Sequence, residues 1–374
     1  MALLQAIRMQ LSWQRRLVQV LASLLLATGS VALLLALHAG PAVLRALSSR
    51  DLLALMQLLG TVALLLVPIS GVISTSSQFA FWTGWLAGLP QPGTIFPAAP
   101  EGGQQASQNK TCTIVYLDGI HQSEQDHPPR VEAFLEQLQR RLPAHVRLLK
   151  GLETYTVTKA RLADDTWGSW FWQRLFALQE HHPNSAVSTL CAVLVQANNV
   201  IKVGISSDRR YGPILNYELA LKMGQRLAEG GFQPGPVGPD GPQELVMLGY
   251  SGGGEMAMGV ADYLRRICRC PVRIITFCGV FSGNQLLEEV SRIAMVVGSA
   301  DPVAAFGRIA YPGRSPLLPL SNWNRAVGRG QVTRHWITGL SHNGARGPFS
   351  QRYRGAVIEA ILTALQQRAT RGAD

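Results

Sequence analysis

Charged side chains are scarce: Asp, Glu, Lys and Arg make up 15% of the 374 residues, against an apolar fraction of 47%. With a mean hydropathy of +0.12, such a chain is excluded from the disordered class and fits poorly with one that is wholly water-exposed. Gly and Pro, 37 and 21 residues, stay below a collagen or low-complexity share, and no Gly-X-Y period or internal repeat is present. Cysteines number only 5, and Cys268-Arg-Cys270 is one residue short of a C-x-x-C zinc half-site, with no His-x-x-x-His to accompany it. A metal site is therefore not expected. The thiols read as structural, with Cys112 and Cys278 on buried strands, which fits a reducing compartment. The phosphate-binding pattern G-x-x-x-x-G-K-[ST] is missing as well.

Long apolar runs, by contrast, are present at the front. From Leu17 to Leu44 there is no Asp, Glu, Lys or Arg, and a second uncharged run follows Asp51, with Pro68 set to kink its far end. At about 1.5 Å of rise per residue, roughly 20 apolar residues cross a bilayer, so residues 17–39 and 52–74 are expected to form two transmembrane helices. The first run is longer than a signal-peptide core and ends without a small-x-small cleavage site, so it reads as a retained anchor. Arg8, Arg15 and Arg16 precede it, Arg45 and Arg50 sit in the hairpin, and two spans return both termini to one side, which the early arginines make cytoplasmic. Phe79, Phe81, Trp82 and Trp85 suit the headgroup level, and a Pro/Gly/Gln linker follows. The expected organisation is a membrane anchor over 1–89, a linker over 90–110 and a globular domain over 111–370.

The formal charge of +11 is spread in pairs such as Arg209-Arg210 and Arg265-Arg266, without the aromatic interleaving of a nucleic-acid binder. Attraction of a tethered protein to anionic headgroups accounts for it more economically, so the bilayer is the expected partner and nucleic acid is not. Oligomeric state leaves no signal in the sequence.

In the globular part, short apolar β-branched runs alternate with helical spacing. Strands are predicted at Thr113–Leu117, His145–Leu149, Val200–Val203, Glu244–Leu248, Val272–Phe277, Arg292–Val297 and Val332–Trp336. Helices are predicted after Pro128-Pro129 and near Ile214–Leu227, Glu255–Arg266, Gln285–Ser291 and Tyr353–Leu365. This alternation predicts an α/β fold: a mostly parallel central sheet with helices on both faces, behind the helical hairpin. In such sheets ligands lie beyond the carboxyl ends of the strands.

Past one predicted strand end stands Gly249-Tyr250-Ser251-Gly252-Gly253, a G-x-S-x-G between ELVML and the helix EMAMGVADYL. A serine needs a base within hydrogen-bond reach to become a nucleophile. His342, in the loop GLSHNGARG after the last strand, is the best placed of the histidines. The base in turn needs an acid to hold its tautomer, and Asp301 is the only Asp or Glu between Glu289 and His342. Its other reading is a turn or helix cap ahead of Pro302. Gly252-x-Gly254-x-x-Ala257 also matches the dinucleotide pattern G-x-G-x-x-G/A, but the strand that follows ends without the acid that would hold a ribose.

On the G-x-S-x-G motif and the order Ser251, Asp301, His342, residues 110–370 resemble the α/β-hydrolases. The resemblance implies a serine, acid, histidine triad in those roles. It further implies an oxyanion hole from the backbone N–H of Gly252 and of a residue in the loop after Asp118-Gly119, either Ile120 or His121. No metal or organic cofactor is implied. The expected function is a membrane-anchored serine hydrolase, an esterase or lipase-like enzyme cleaving ester or thioester bonds of lipid-like or other apolar acyl substrates. Two other readings are a non-catalytic hydrolase-fold binding or scaffold protein at the membrane, and an acyltransferase with the same triad. The segment Gly151–Asn199, with Trp167, Trp170, Phe171, Trp172 and Phe176, either caps the pocket, dips into the interface or packs as core.

Overall fold

The computed structural model describes residues 57, 95–96, 112–119, 128–152, 154, 177, 199–200, 202–209, 212–235, 243–288 and 290–367. The expected spans 17–39 and 52–74 (Gln57 apart), the linker (Ile95 and Phe96 apart), the aromatic residues of 167–176 and Ile120 lie outside them. Among the described residues no helix is long and apolar enough to cross a membrane. Two compact units divide the chain, Met1–Gly88 with Arg161–Ile201, and Leu89–Ala160 with Lys202–Asp374, and the second holds every element that follows.

That unit is built on β1 (Cys112–Leu117), β2 (Val146–Leu149), β3 (Glu244–Tyr250), β4 (Val272–Phe277), β5 (Val290–Gly298) and β6 (Val332–Ile337). They form a six-stranded sheet in the order β2-β1-β3-β4-β5-β6, and every neighbouring pair is parallel. The helices are α1 (Pro129–Arg141), α2 (Gly212–Glu229), α3 (Gly253–Cys268), α4 (Pro302–Ala310), α5 (Asn322–Gly328) and α6 (Gln351–Gln366). A parallel sheet with helical connections is consistent with the α/β-hydrolase arrangement.

The central strands are apolar throughout because both faces are covered. Alternate residues serve different layers. Val115, Leu117, Leu245, Met247 and Ile274 pack with α2, α3 and α5. Ile114, Tyr116, Val246, Leu248 and Ile275 pack with α1 and α6. In the second layer Phe134 stacks on Phe277 at 5.4 Å between centroids and meets Phe349 edge-on at 5.3 Å, geometries that add to plain area burial.

Two sequence expectations are corrected. The apolar stretch Val200–Val203 belongs to helix rather than strand, since residues 202–207 are helical. A short apolar run cannot by itself distinguish the two; here Ser206 and Ser207 direct their hydroxyls back to the carbonyls of Val203 and Gly204, as serines in a helical turn do. Gln285–Ser291 is not a helix: the chain stays irregular through Glu288 and enters β5 at Val290. Gln285 donates instead to the Ser206 carbonyl and to Glu255, contacts that hold the segment open. Between β5 and β6 the structure adds α4 and α5, capped by Asp301 and Ser321.

One side chain joins the amino ends of the strands to the last helix. Arg273, 3% exposed, grips both oxygens of Glu244 at 2.9 and 2.8 Å, while its remaining nitrogen donates to the carbonyls of Ala364 and Leu365 at the end of α6. Arg273→Met leaves Glu244 and those carbonyls without their donor, and the expected cost is about 3 kcal/mol, read as a lower urea midpoint at unchanged slope.

Candidate active site

The site grows from a steric constraint at the carboxyl end of β3. Here the chain turns from strand to helix within three residues, and α3 starts so close to the sheet that side chains are excluded. A Cβ on Gly249 would stand 2.5 Å from the carbonyl oxygen of Gly253, and one on Gly253 would stand 2.3 Å from that of Leu117 in β1. Between them Ser251 takes the left-handed conformation, φ 51°, which costs a residue with a Cβ about 1–2 kcal/mol. The strained turn is held by its neighbours: the N–H groups of Gly254 and Val280 donate to the Ser251 carbonyl at 3.0 and 2.9 Å.

Ser251 Oγ lies 2.8 Å from Nε2 of His342. On the far side of the ring, Nδ1 is 3.1 Å from each carboxylate oxygen of Asp301. A carboxylate accepts but cannot donate, so the proton sits on Nδ1 and Nε2 turns its lone pair to the serine hydroxyl. Asp301 and His342 are 4% and 5% exposed, so little water competes for these bonds.

Asp301 does two jobs at once. It is the N-cap of α4, where Oδ1 accepts from the N–H groups of Val303 and Ala304 at 3.0 and 2.9 Å, with Pro302 in the first helical turn. The cap and the histidine partner were alternatives in the sequence; one carboxylate fills both roles. Burial pushes its pKa up, but hydrogen bonds from His342, the Ala304 N–H and the Cys278 thiol, with the His342 charge, outweigh that and hold it below the ordinary range.

His342 is fixed through its loop. The carbonyl of Leu340 packs against Gly298 so closely that a Cβ there would stand 2.2 Å from the oxygen, and the same carbonyl accepts from Ala300 N–H at 3.0 Å. Tyr250, next to the serine, contributes from the other side. Its hydroxyl lies 2.7 Å from Asn343 Oδ1 and 2.9 Å from the His342 carbonyl, and its ring stacks on the imidazole with centroids 5.6 Å apart.

Sequence reasoning missed three contributors. Tyr250 had only its place beside the serine to mark it. Cys278, expected on a strand, stands just past β4 at φ 48° with its thiol against Asp301 and 3.7 Å from the Ser341 carbonyl. Burial, then the Asp301 charge, push that thiol's pKa up, so it remains a thiol. The third is Glu255, fully buried in the first turn of α3, whose carboxylate accepts from the Ser282 N–H and hydroxyl and from Gln285. It ties down the segment after β4 that supplies Val280 to the turn.

Gly252 is the N-cap of α3, where the helix presents its N–H groups, and no described residue accepts its N–H. The loop after β1 reaches the same spot: a Cβ on Gly119 would be 3.2 Å from Ser251 Cβ. Asp118 fixes that loop by accepting from Gly119 N–H at 3.1 Å and the Tyr116 hydroxyl at 2.6 Å. Among the described residues, no group of three or more His, Cys, Asp or Glu side chains could hold a metal ion.

Burial, the dominant influence on Glu255, raises its pKa against those hydrogen bonds and the charge of Arg314. An acid with a higher pKa in the folded chain binds its proton more tightly there. The folded state is therefore favoured below the ordinary value of about 4.3 and loses that advantage as pH rises through the folded value. Urea unfolding of the wild type and Glu255→Gln across this range is expected to give a stability difference that shifts in favour of the glutamine variant as pH rises. A difference that does not change with pH would contradict the ionisation of a buried Glu255.

No protein-family model matches the chain, and no curated protein matches it in sequence. Among solved structures it is similar to one titled "Crystal structure of esterase PE8", with 16% identity over 68% of this chain and 93% of that chain, at a TM-score of 0.35.

Proposed function

We propose that the chain is a serine hydrolase that cleaves ester or thioester bonds of apolar or lipid-like acyl substrates through Ser251, His342 and Asp301. The observation that supports the reading is the unbroken path from Ser251 Oγ through the His342 ring to Asp301, at 2.8 and 3.1 Å. In this mechanism Oγ attacks the acyl carbonyl while Nε2 of His342 takes its proton. Asp301 holds the Nδ1 proton and stabilises the imidazolium without itself becoming protonated. The C–O or C–S bond breaks as His342 returns the proton to the departing alcohol or thiol, leaving an ester on Ser251. Water then attacks, giving its proton to His342, and Ser251 leaves with that proton.

The oxyanion formed in both steps would be met by the Gly252 N–H and by a second N–H, that of Ile120, in the loop after Gly119. Each such donor is worth about 3 kcal/mol in the transition state. Cys278, Tyr250 and Glu255 act as positioning residues in this scheme. Two spans at 17–39 and 52–74 would tether the domain on the cytoplasmic side, where the bilayer is both partner and source of apolar substrate.

The test is labelling of the full-length protein with a fluorophosphonate probe, with the adduct located by peptide mass, followed by turnover of acyl esters of increasing chain length. Labelling at Ser251 that vanishes in Ser251→Ala is expected. Asp301→Asn should keep the fold, since asparagine is an equally good N-cap, yet lower kcat by about 10⁴-fold by turning a donor towards Nδ1. A folded wild type that neither labels nor turns over would leave the hydrolase-fold binding or scaffold reading.

A further inference from the structure

Behind the triad acid, between α4 and the face of the sheet that carries Met295, lies a cavity of 210 Å³. Ser251, Gly252 and His342 are not among its lining residues. Its volume is below the ~300–1,000 Å³ typical of a pocket for a whole small molecule. Three arginines from three elements line it: Arg308 on α4, Arg314 after α4 and Arg334 on β6.

Each arrives by regular geometry. Asp301, Ala304, Ala305 and Arg308 recur at helical spacing along the inner side of α4. Arg334 is paired with Met295 and Met295 with Thr276, so the three form a row across β6, β5 and β4 on one face of the sheet. Arg314 is held by donation to the Phe281 carbonyl at 3.3 Å and by the Phe281 and Trp323 rings, 4.1 and 5.1 Å from its guanidinium carbon. Burial and then the charges of Arg308 and Arg334 bring its pKa down to about 10, with Glu255 opposing them.

Among the described residues none of the three arginines has an ion-pair partner within salt-bridge distance. Asp301 is the one carboxylate lining the cavity, and it is already committed to His342 and the start of α4. Glu255 is likewise held by Ser282 and Gln285. The floor carries a second, independent sign. Thr276 is 1% exposed and lines the cavity, and its hydroxyl oxygen is buried with no hydrogen-bond partner among the described residues. A buried hydroxyl left unsatisfied is costly, and three like charges around one small volume repel one another. A tetrahedral oxyanion relieves both, since guanidinium forks suit its oxygens and a hydroxyl can donate to one of them.

We propose that this cavity, which borders Asp301 but not Ser251 or His342, is an anion site that takes a phosphate group on Arg308, Arg314 and Arg334 with Thr276 beneath it. The phosphate belongs to a soluble phosphorylated compound or to a phospholipid headgroup, and the chemistry of recognition is the same for both.

The test measures thermal unfolding of the full-length protein in detergent against inorganic phosphate, with chloride at matched ionic strength as control, and separately against micelles doped with phosphatidic acid. Arg308 and Arg334 are exposed, so Arg308→Gln/Arg334→Gln should fold, and its melting temperature in phosphate-free buffer checks this. Should that variant be unstable, Thr276→Val removes the floor donor with little change of shape. Phosphate is expected to raise the melting temperature of the wild type, with a half-maximal concentration roughly tenfold or more higher in the double variant. A response to phosphatidic acid alone, lost in the variant, assigns the site to a headgroup. No response to either, or an equal response in the variants, overturns the proposal. Neither measurement involves turnover, so the result stands apart from the role of Ser251.

Discussion

Between Gly253 and the Leu117 carbonyl there is space for a hydrogen atom and nothing larger, and the rest of the site is built around that contact. It brings the amino end of α3 down onto the junction of β1 and β3, which compresses the connection and forces Ser251 into a left-handed turn. A serine so held stands clear of both strand and helix, with its hydroxyl directed at whatever lies beyond the sheet. The same closeness draws the loop after β1 to within contact of Ser251 and sets Gly252 at the start of a helix, where N–H groups have no carbonyl to bond. The protruding serine, the N–H of Gly252 that no described residue accepts and the helix dipole thus follow from one close approach of backbone to backbone.

The second joint is Asp301. Its carboxylate caps α4, orients His342 and receives the Cys278 thiol, so three segments from β4, β5 and β6 meet on two oxygen atoms. A buried carboxylate with fewer partners would be driven towards its neutral form; here hydrogen bonds reverse the effect of burial. Glu255 shows the opposite balance with similar partners, because it is completely enclosed and the charge of Arg314 is the smallest influence on it. Two buried acids near the same turn therefore move in opposite directions, because burial outweighs the hydrogen bonds at Glu255 and the hydrogen bonds outweigh burial at Asp301.

How much of this was legible in the sequence depends on the range of the forces involved. Strands such as Val272–Phe277 are readable because burial on both faces demands an unbroken apolar run. Gly249 is readable because its steric demand is set by Gly253, a few positions on, whereas Gly253 is marked only by the G-x-S-x-G pattern, since the carbonyl it must clear belongs to Leu117 in β1. Asp301 and His342 emerge from scarcity and order along the chain rather than from any local pattern. Tyr250, Cys278 and Glu255 are not readable, because what they do depends on loops distant in sequence arriving beside them. Val200–Val203 failed because a short apolar run fits strand and helix alike, and Gln285–Ser291 because a side-chain bond to the remote Ser206 carbonyl overrides local propensity.

Polar and strained features gather at one end of the sheet, and the apolar layers explain why the fold tolerates them. The left-handed serine, the buried Glu255 and the arginine-lined cavity each destabilise the native state locally by amounts of order 1–3 kcal/mol. They lie above two continuous hydrophobic layers in which residues such as Leu117, Phe134, Leu248 and Phe277 are wholly enclosed. Arg273 reinforces the opposite, amino end, tying β3, β4 and α6 together. Hydrogen-bonded ties thus hold the ends where these strands begin, and polar groups gather where they end. Small changes in charge beyond the strand ends act on side chains that the layers below hold in place.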